Sequence, residues 1–106
     1  MDIEIKEKQH TGKLFIGEEE EPKAELKFIK ESDKLINVKH TEVSEELKGQ
    51  SVGRKLLDHL AEKARKENFK IKAECSYLQH IFEKYDDYDD VKAFKAQPIK
   101  KPFNRN

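Results

Sequence analysis

The sequence predicts a small α+β domain, on three observations. Apolar residues alternate with polar ones through much of the first half, the pattern of strands with one buried face. A single run over 51–68 repeats its apolar residues at helical spacing. Strand-like segments come first and helical ones late, which separates α+β from an alternating α/β architecture.

Composition bounds the rest. The chain has 106 residues, 35% hydrophobic and 42% charged, with 22 Lys+Arg balancing 22 Asp+Glu. At roughly 150 residues per domain this is one domain. Leu, Ile, Val and Phe make up about a quarter of the chain, above the roughly 20% below which disorder is expected. Zero net charge also argues for folding. A thin core under a very polar surface is the expectation. No run of about 18 apolar residues is present, so no membrane-spanning helix is expected. Met1, Asp2, Ile3, Glu4, Ile5 and Lys6 lack the apolar stretch of a signal peptide. Cys75 is the one cysteine, which excludes an internal disulfide and a cysteine-based zinc site. No metal site and a reducing, cytoplasmic setting are expected. Net neutrality argues against a dedicated nucleic-acid binder.

Taken in order, 3–9 alternates weakly around Ile3 and Ile5 and reads as a half-exposed strand. His10, Thr11 and Gly12 signal a turn into a second short strand, 13–16, which makes a hairpin. Gly17, the four glutamates of 18–21 and Pro22 read as a solvated loop. Ala24, Leu26 and Phe28 then alternate cleanly, and 31–34 turns the chain. Leu35–Val43 is a fourth strand, followed by a polar stretch to Gln50 with Gly49 as punctuation. In the helix that follows, Val52, Leu56, Leu60 and Ala64 recur every four residues, Leu57 and Ala61 widen the stripe, and Asn68 is a stop. A short strand over 70–74 leads into Cys75, and Leu78, Ile81, Phe82 and Tyr85 mark a second, shorter helix. Residues 86–90 read as an acidic cap on that helix. The domain is expected over 1–95, with 96–106 a loosely ordered basic tail. Strand, helix, strand over 35–74 is a crossover unit, so its two strands should be parallel.

The chemically informative stretch is 43–57, where a strand ends, a glycine loop follows and a helix opens. The first N–H groups of a helix lack internal partners and carry partial positive charge. Gly49, Ser51 and Gly53 would let a phosphate approach the backbone, and Lys48, Arg54 and Lys55 add charge. Such a cradle suits an anion; any strand-loop-helix connection, however, needs small residues. Neither the Walker nor the dinucleotide-binding glycine pattern is present, which argues against ATP and NAD.

This stretch resembles the acetyl-CoA loop of GNAT-type N-acetyltransferases, whose pattern is Gln/Arg-x-x-Gly-x-Gly/Ala at the start of the helix after the fourth main strand. Its positions fall on Lys48, Gly49, Gln50, Ser51, Val52 and Gly53. Lys48 stands where Gln or Arg is usual, and Ser51 where Gly is usual. The segment 36–43, with His40, Thr41, Glu42 and Val43, together with Cys75 before a short helix and 87–91, is similar to a branch of small single-domain GNAT-like proteins with a cysteine in the cofactor site. The resemblance runs over roughly 25–91. It implies a twisted, mostly antiparallel sheet of about five strands, with a long helix after strand 4 and a short one after strand 5. It also implies acetyl-CoA or CoA held between splayed fourth and fifth strands, with pantetheine along Thr41, Glu42 and Val43 and pyrophosphate on Lys48, Gly49, Gln50, Ser51, Val52, Gly53 and Arg54.

Individual residues then acquire candidate roles. Cys75 in isolation reads as a small buried hydrophobe; with the resemblance it becomes a nucleophile that carries the acetyl group, placed beside a helix N-terminus that favours thiolates in general. His40 and Glu42, two apart on a strand, share a face and are candidate general bases. Tyr77 is a candidate cofactor contact, and His80 a position on the rim. The function expected is acetyl transfer to an unidentified amine. The alternatives are a non-catalytic CoA or acetyl-CoA sensor and a protein-interaction domain without cofactor. At this length the chain matches the cofactor half of larger enzymes, so the acceptor is expected to be a protein or other macromolecule, or a partner chain to complete the site.

Overall fold

Each strand of the sheet lies beside its neighbour in sequence. β1 (Glu4–Glu7), β2 (Thr11–Glu18), β3 (Glu21–Ser32) and β4 (Leu35–Val43) form an antiparallel meander, and β5 (Lys70–Ala73) pairs with β4 in parallel. Between β4 and β5 runs α1 (Val52–Glu67), and α2 (Ser76–Lys84) follows β5. The structure, a computed structural model, describes residues 2–93; the basic tail expected over 96–106 lies outside the described residues. The α+β class, the five strands, the parallel last pair and the two helix positions are all as the sequence predicts.

Burial of one stripe holds α1 in place. Val52, Leu56, Leu57, Leu60, Ala61 and Ala64 are buried, in one cluster with Leu14, Leu26, Phe28, Ile36 and Val38 of the sheet. Each such leucine removed from water contributes about 1.5–3 kcal/mol. Asn68 ends the helix in the left-handed region at φ 65°, and its N–H donates to the Ala64 carbonyl. Asparagine tolerates that conformation better than most residues do.

Two expectations need correction. The loop predicted over 17–22 is a tight turn of Glu19 and Glu20, with Gly17 and Glu18 ending β2 and Glu21 and Pro22 opening β3. Gly17, at φ 94°, sits at an irregularity where Ile16 faces Ala24 and Gly17 faces Pro22, and a bulge is where a strand accepts proline. Lys6 and Lys13 lie 3.3 and 3.0 Å from Glu19, so this acid is neutralised rather than displayed. The acidic stretch 86–90 does not cap α2 either. It forms a separate 3-10 turn, Asp86–Tyr88, whose Tyr88 is buried; beyond the turn, Asp90 accepts from Arg65 Nε at 2.8 Å. After it the chain returns to β5, with the Ala93 N–H donating to the Ile71 carbonyl at 2.9 Å.

A bulge in β4 decides which side chains face which way. Lys27 lies opposite His40, yet Phe28 lies opposite Val38, so β4 carries one extra residue, Lys39. An extra residue exchanges the two faces of a strand. Ile36 and Val38 face the helices before the bulge, and Thr41 and Val43 after it, opposite buried Leu26 and Ala24. His40 and Glu42 face away.

Candidate functional site

β4 and β5 pair over four positions, from Leu35 with Lys70 to Val38 with Ala73. A last bond joins the Glu74 N–H to the Val38 carbonyl, 3.0 Å. The chain then turns into α2, and among the described residues no strand accompanies 39–43 of β4 on that side. A cleft of about 510 Å³ opens beside this run, lined by Thr41, Glu42, Val43, Leu47, Lys48, Gly49, Ser51, Val52, Gly53 and Tyr77. Nine of those ten are residues that the sequence predicted around a cofactor. Leu47 was missed; its signal is a lone apolar side chain in the polar stretch 44–50.

The loop at the cleft has two left-handed residues, Gly49 at φ 85° and Ser51 at φ 58°. Glycine adopts that region freely, whereas a residue with Cβ loses about 1–2 kcal/mol there. Ser51 is the N-cap of α1 and makes no side-chain capping hydrogen bond, so nothing offsets the strain. Ser51→Gly is therefore expected to raise stability by about 0.5–1 kcal/mol once the extra freedom of the unfolded chain is subtracted. Differential scanning calorimetry should record a Tm increase of a few degrees.

Cys75 sits on the other bank. It is buried, forms the N-cap of α2, and its thiol donates to Thr41 Oγ1 at 3.5 Å. Thr41 is part of the cleft wall, so the sulfur lies one side chain behind that wall. Tyr77, 42% exposed, hangs over Gly53, where an added Cβ would overlap its ring.

The expected charges are only partly in place. Lys48 is exposed and 3.1 Å from Glu45, Gln50 reaches the Glu46 carbonyl at 3.5 Å, and Lys55 is exposed. Arg54 is not at the loop. Its guanidinium stacks 3.6 Å from the Tyr85 ring centre, donates from Nε to the Tyr88 hydroxyl at 2.9 Å and pairs with Asp87 at 3.2 Å. The predicted cradle of Lys48, Arg54 and Lys55 thus loses its arginine to an aromatic clamp. His40 and Glu42 do share a face, 3.3 Å apart, but it is the face opposite Thr41 and Cys75. Glu42 still borders the cleft, while His40 and the exposed His80 do not.

A sheet that opens between two parallel strands, with a glycine-bearing loop and a helix start at the opening, has the architecture of an acetyltransferase domain. The chain belongs to the GCN5-related N-acetyltransferase family, whose pattern matches residues 13–91. Enzymes of this family use acetyl-CoA. Among solved structures, a GCN5-like candidate N-acetyltransferase from Staphylococcus aureus is 44% identical, with 84% of this chain and 86% of that one covered at a TM-score of 0.69. A GNAT family acetyltransferase from Elizabethkingia anophelis, solved with acetyl-CoA bound, shares the fold at 16% identity and a TM-score of 0.56, over 72% of this chain and 53% of that one. A ribosomal-protein-alanine N-acetyltransferase from Brucella melitensis biovar Abortus 2308 does so at 17% identity and 0.54, over 73% and 64%. This chain spans under two thirds of the length of those last two enzymes. No curated protein matches the chain significantly. Among the described residues no helix is long and apolar enough to cross a membrane.

Proposed function

We propose that this domain binds acetyl-CoA in the wedge between β4 and β5 and passes its acetyl group to an amine by way of Cys75. The observation that carries the reading is the placement of the Cys75 thiol, 3.5 Å from Thr41 Oγ1, immediately behind the wall of a cleft with the loop 48–53 at its other end. The start of α1 and its glycines suit a pyrophosphate, and the unaccompanied run of β4 offers backbone groups to the amides of a pantetheine arm. Lys48 would exchange Glu45 for phosphate. Arg54, held by Tyr85, Tyr88 and Asp87, takes no part.

In the first step the sulfur of Cys75 attacks the thioester carbonyl, the bond to the CoA sulfur breaks, and the thiol proton ends on the released CoA. In the second, the acceptor nitrogen attacks the acetyl-cysteine, and Cys75 leaves and regains a proton from the attacking amine. The acceptor arrives as an ammonium ion, and Glu42, which borders the cleft, is the base that takes its first proton and frees the nitrogen to attack; His40 supports it from 3.3 Å. The acceptor is a protein or another macromolecule, or is presented by a partner chain that completes the site, and the compartment is the cytoplasm.

Intact-mass spectrometry after incubation with acetyl-CoA tests the route. One acetyl group should appear on the wild-type chain and vanish in Cys75→Ser. Equal acetylation of the serine variant would rule out the cysteine intermediate.

A further inference from the structure

On the sheet face turned away from the helices, Glu25 of β3 converges with His40 and Glu42 of β4. Glu25 lies opposite Glu42 in the register, and the extra residue Lys39 brings His40 to the same face, opposite Lys27. One side-chain ligand atom from each of the three lies within 4.8 Å of the other two. We propose that Glu25, His40 and Glu42 form a site for a divalent transition-metal ion of the zinc type, on the sheet face behind the acetyl-CoA wedge and sharing Glu42 with it.

An imidazole nitrogen and two carboxylates are a donor set that zinc accepts. With bonds of about 2.0–2.1 Å, neighbouring donors on a tetrahedral ion stand about 3.3 Å apart. His40 Nε2 and Glu42 Oε1 already have that spacing, 3.3 Å. No gap exceeds 4.8 Å, so none need close by more than about 1.5 Å, a movement within reach of rotation about the glutamate side-chain bonds. Glu25 anchors the set: its side chain is 13% exposed, against 50% for His40 and 69% for Glu42. The cation now nearest Glu25 is Lys27 Nζ at 3.8 Å, a loose pair that a dication would replace. Three protein ligands leave a fourth position for water, so the site suits reversible binding rather than a structural zinc. Because Glu42 also borders the cleft, an ion here would withdraw that carboxylate from the acetyl-transfer reaction.

Cobalt(II), titrated into the full chain without acetyl-CoA, is the probe. A visible d–d spectrum saturating at one equivalent and bleached by added zinc is expected. His40→Ala and Glu25→Gln should each weaken binding at least tenfold, and His59→Ala, on exposed α1 surface, should not. Paramagnetic broadening of the wild-type amide spectrum should centre on 25, 40 and 42, which needs no variant to fold. Broadening centred elsewhere, unchanged affinity in His40→Ala, a thiolate-to-cobalt band lost in Cys75→Ser, or no spectrum at all would overturn the site. Acetyl-CoA titration of the same proteins is read separately, so failure of the metal site leaves the acetyl-transfer proposal standing, and the reverse.

Discussion

Replacing Tyr88 with alanine is expected to cost about 3–5 kcal/mol, as truncations of buried aromatic rings do. A domain with about 5–15 kcal/mol in all would then be mostly unfolded on modest warming. Tyr88 is 1% exposed and ties three elements together. Its ring packs against Phe82 at 5.8 Å between centres, while its hydroxyl accepts from Arg54 at 2.9 Å and donates to Asp58. Tyr88→Phe keeps the ring and loses only bonds to charged partners, about 1.5–3 kcal/mol. Urea denaturation should rank wild type above the phenylalanine variant and that above alanine. The hydroxyl also sets an alkaline limit. Burial first, then the bond to Asp58, pushes its pKa from the usual 10 up to about 12. The folded state thus favours the protonated phenol. Its contribution is complete below about pH 10 and is lost as pH rises from 10 towards 12, on the order of 3 kcal/mol. Calorimetry across that range should show a steeper fall in Tm for wild type than for Tyr88→Phe.

Gly53→Ala is expected to separate folding from ligand binding. In the first turn of α1, alanine is favoured over glycine by up to about 1 kcal/mol. The added Cβ overlaps the outer atoms of Tyr77, but that side chain is 42% exposed and can swing aside, so Tm should change by only a few degrees. Affinity for acetyl-CoA should fall by about tenfold to a hundredfold, the equivalent of one or two charge-assisted hydrogen bonds to phosphate. Isothermal titration calorimetry reads it directly. Wild-type affinity in a folded Gly53→Ala protein would move the cofactor away from this loop.

The fold was legible because its signals are local. Ala24, Leu26 and Phe28 alternate strictly, and the stripe from Val52 to Ala64 has no competing period. The loop and Cys75 were legible only through their resemblance to a family, since glycines before a helix have several ordinary uses. What escaped depends on residues distant in sequence. Arg54 stands next to the loop in the chain, yet Tyr85, Asp87 and Tyr88 claim it from across the core, and no spacing rule announces that. The bulge at Lys39 left a faint trace, in that inward apolar positions pass from even numbers, Ile36 and Val38, to odd, Val43. The acidic runs misled for the same reason: charge density says nothing of which lysine or arginine folds against it.

The parting of β4 and β5 has a consequence for the protein in concentrated solution. Bare backbone of this kind is ordinarily met at the rim of a sheet, where it recruits strands from other molecules and seeds aggregation. Among the described residues the bare run is five residues long, begins at a bulge that twists it, and carries Lys39 and Glu42, three devices that discourage a second chain from pairing edge to edge. The gap therefore stays receptive to a slender ligand bearing amides while remaining a poor template for another strand.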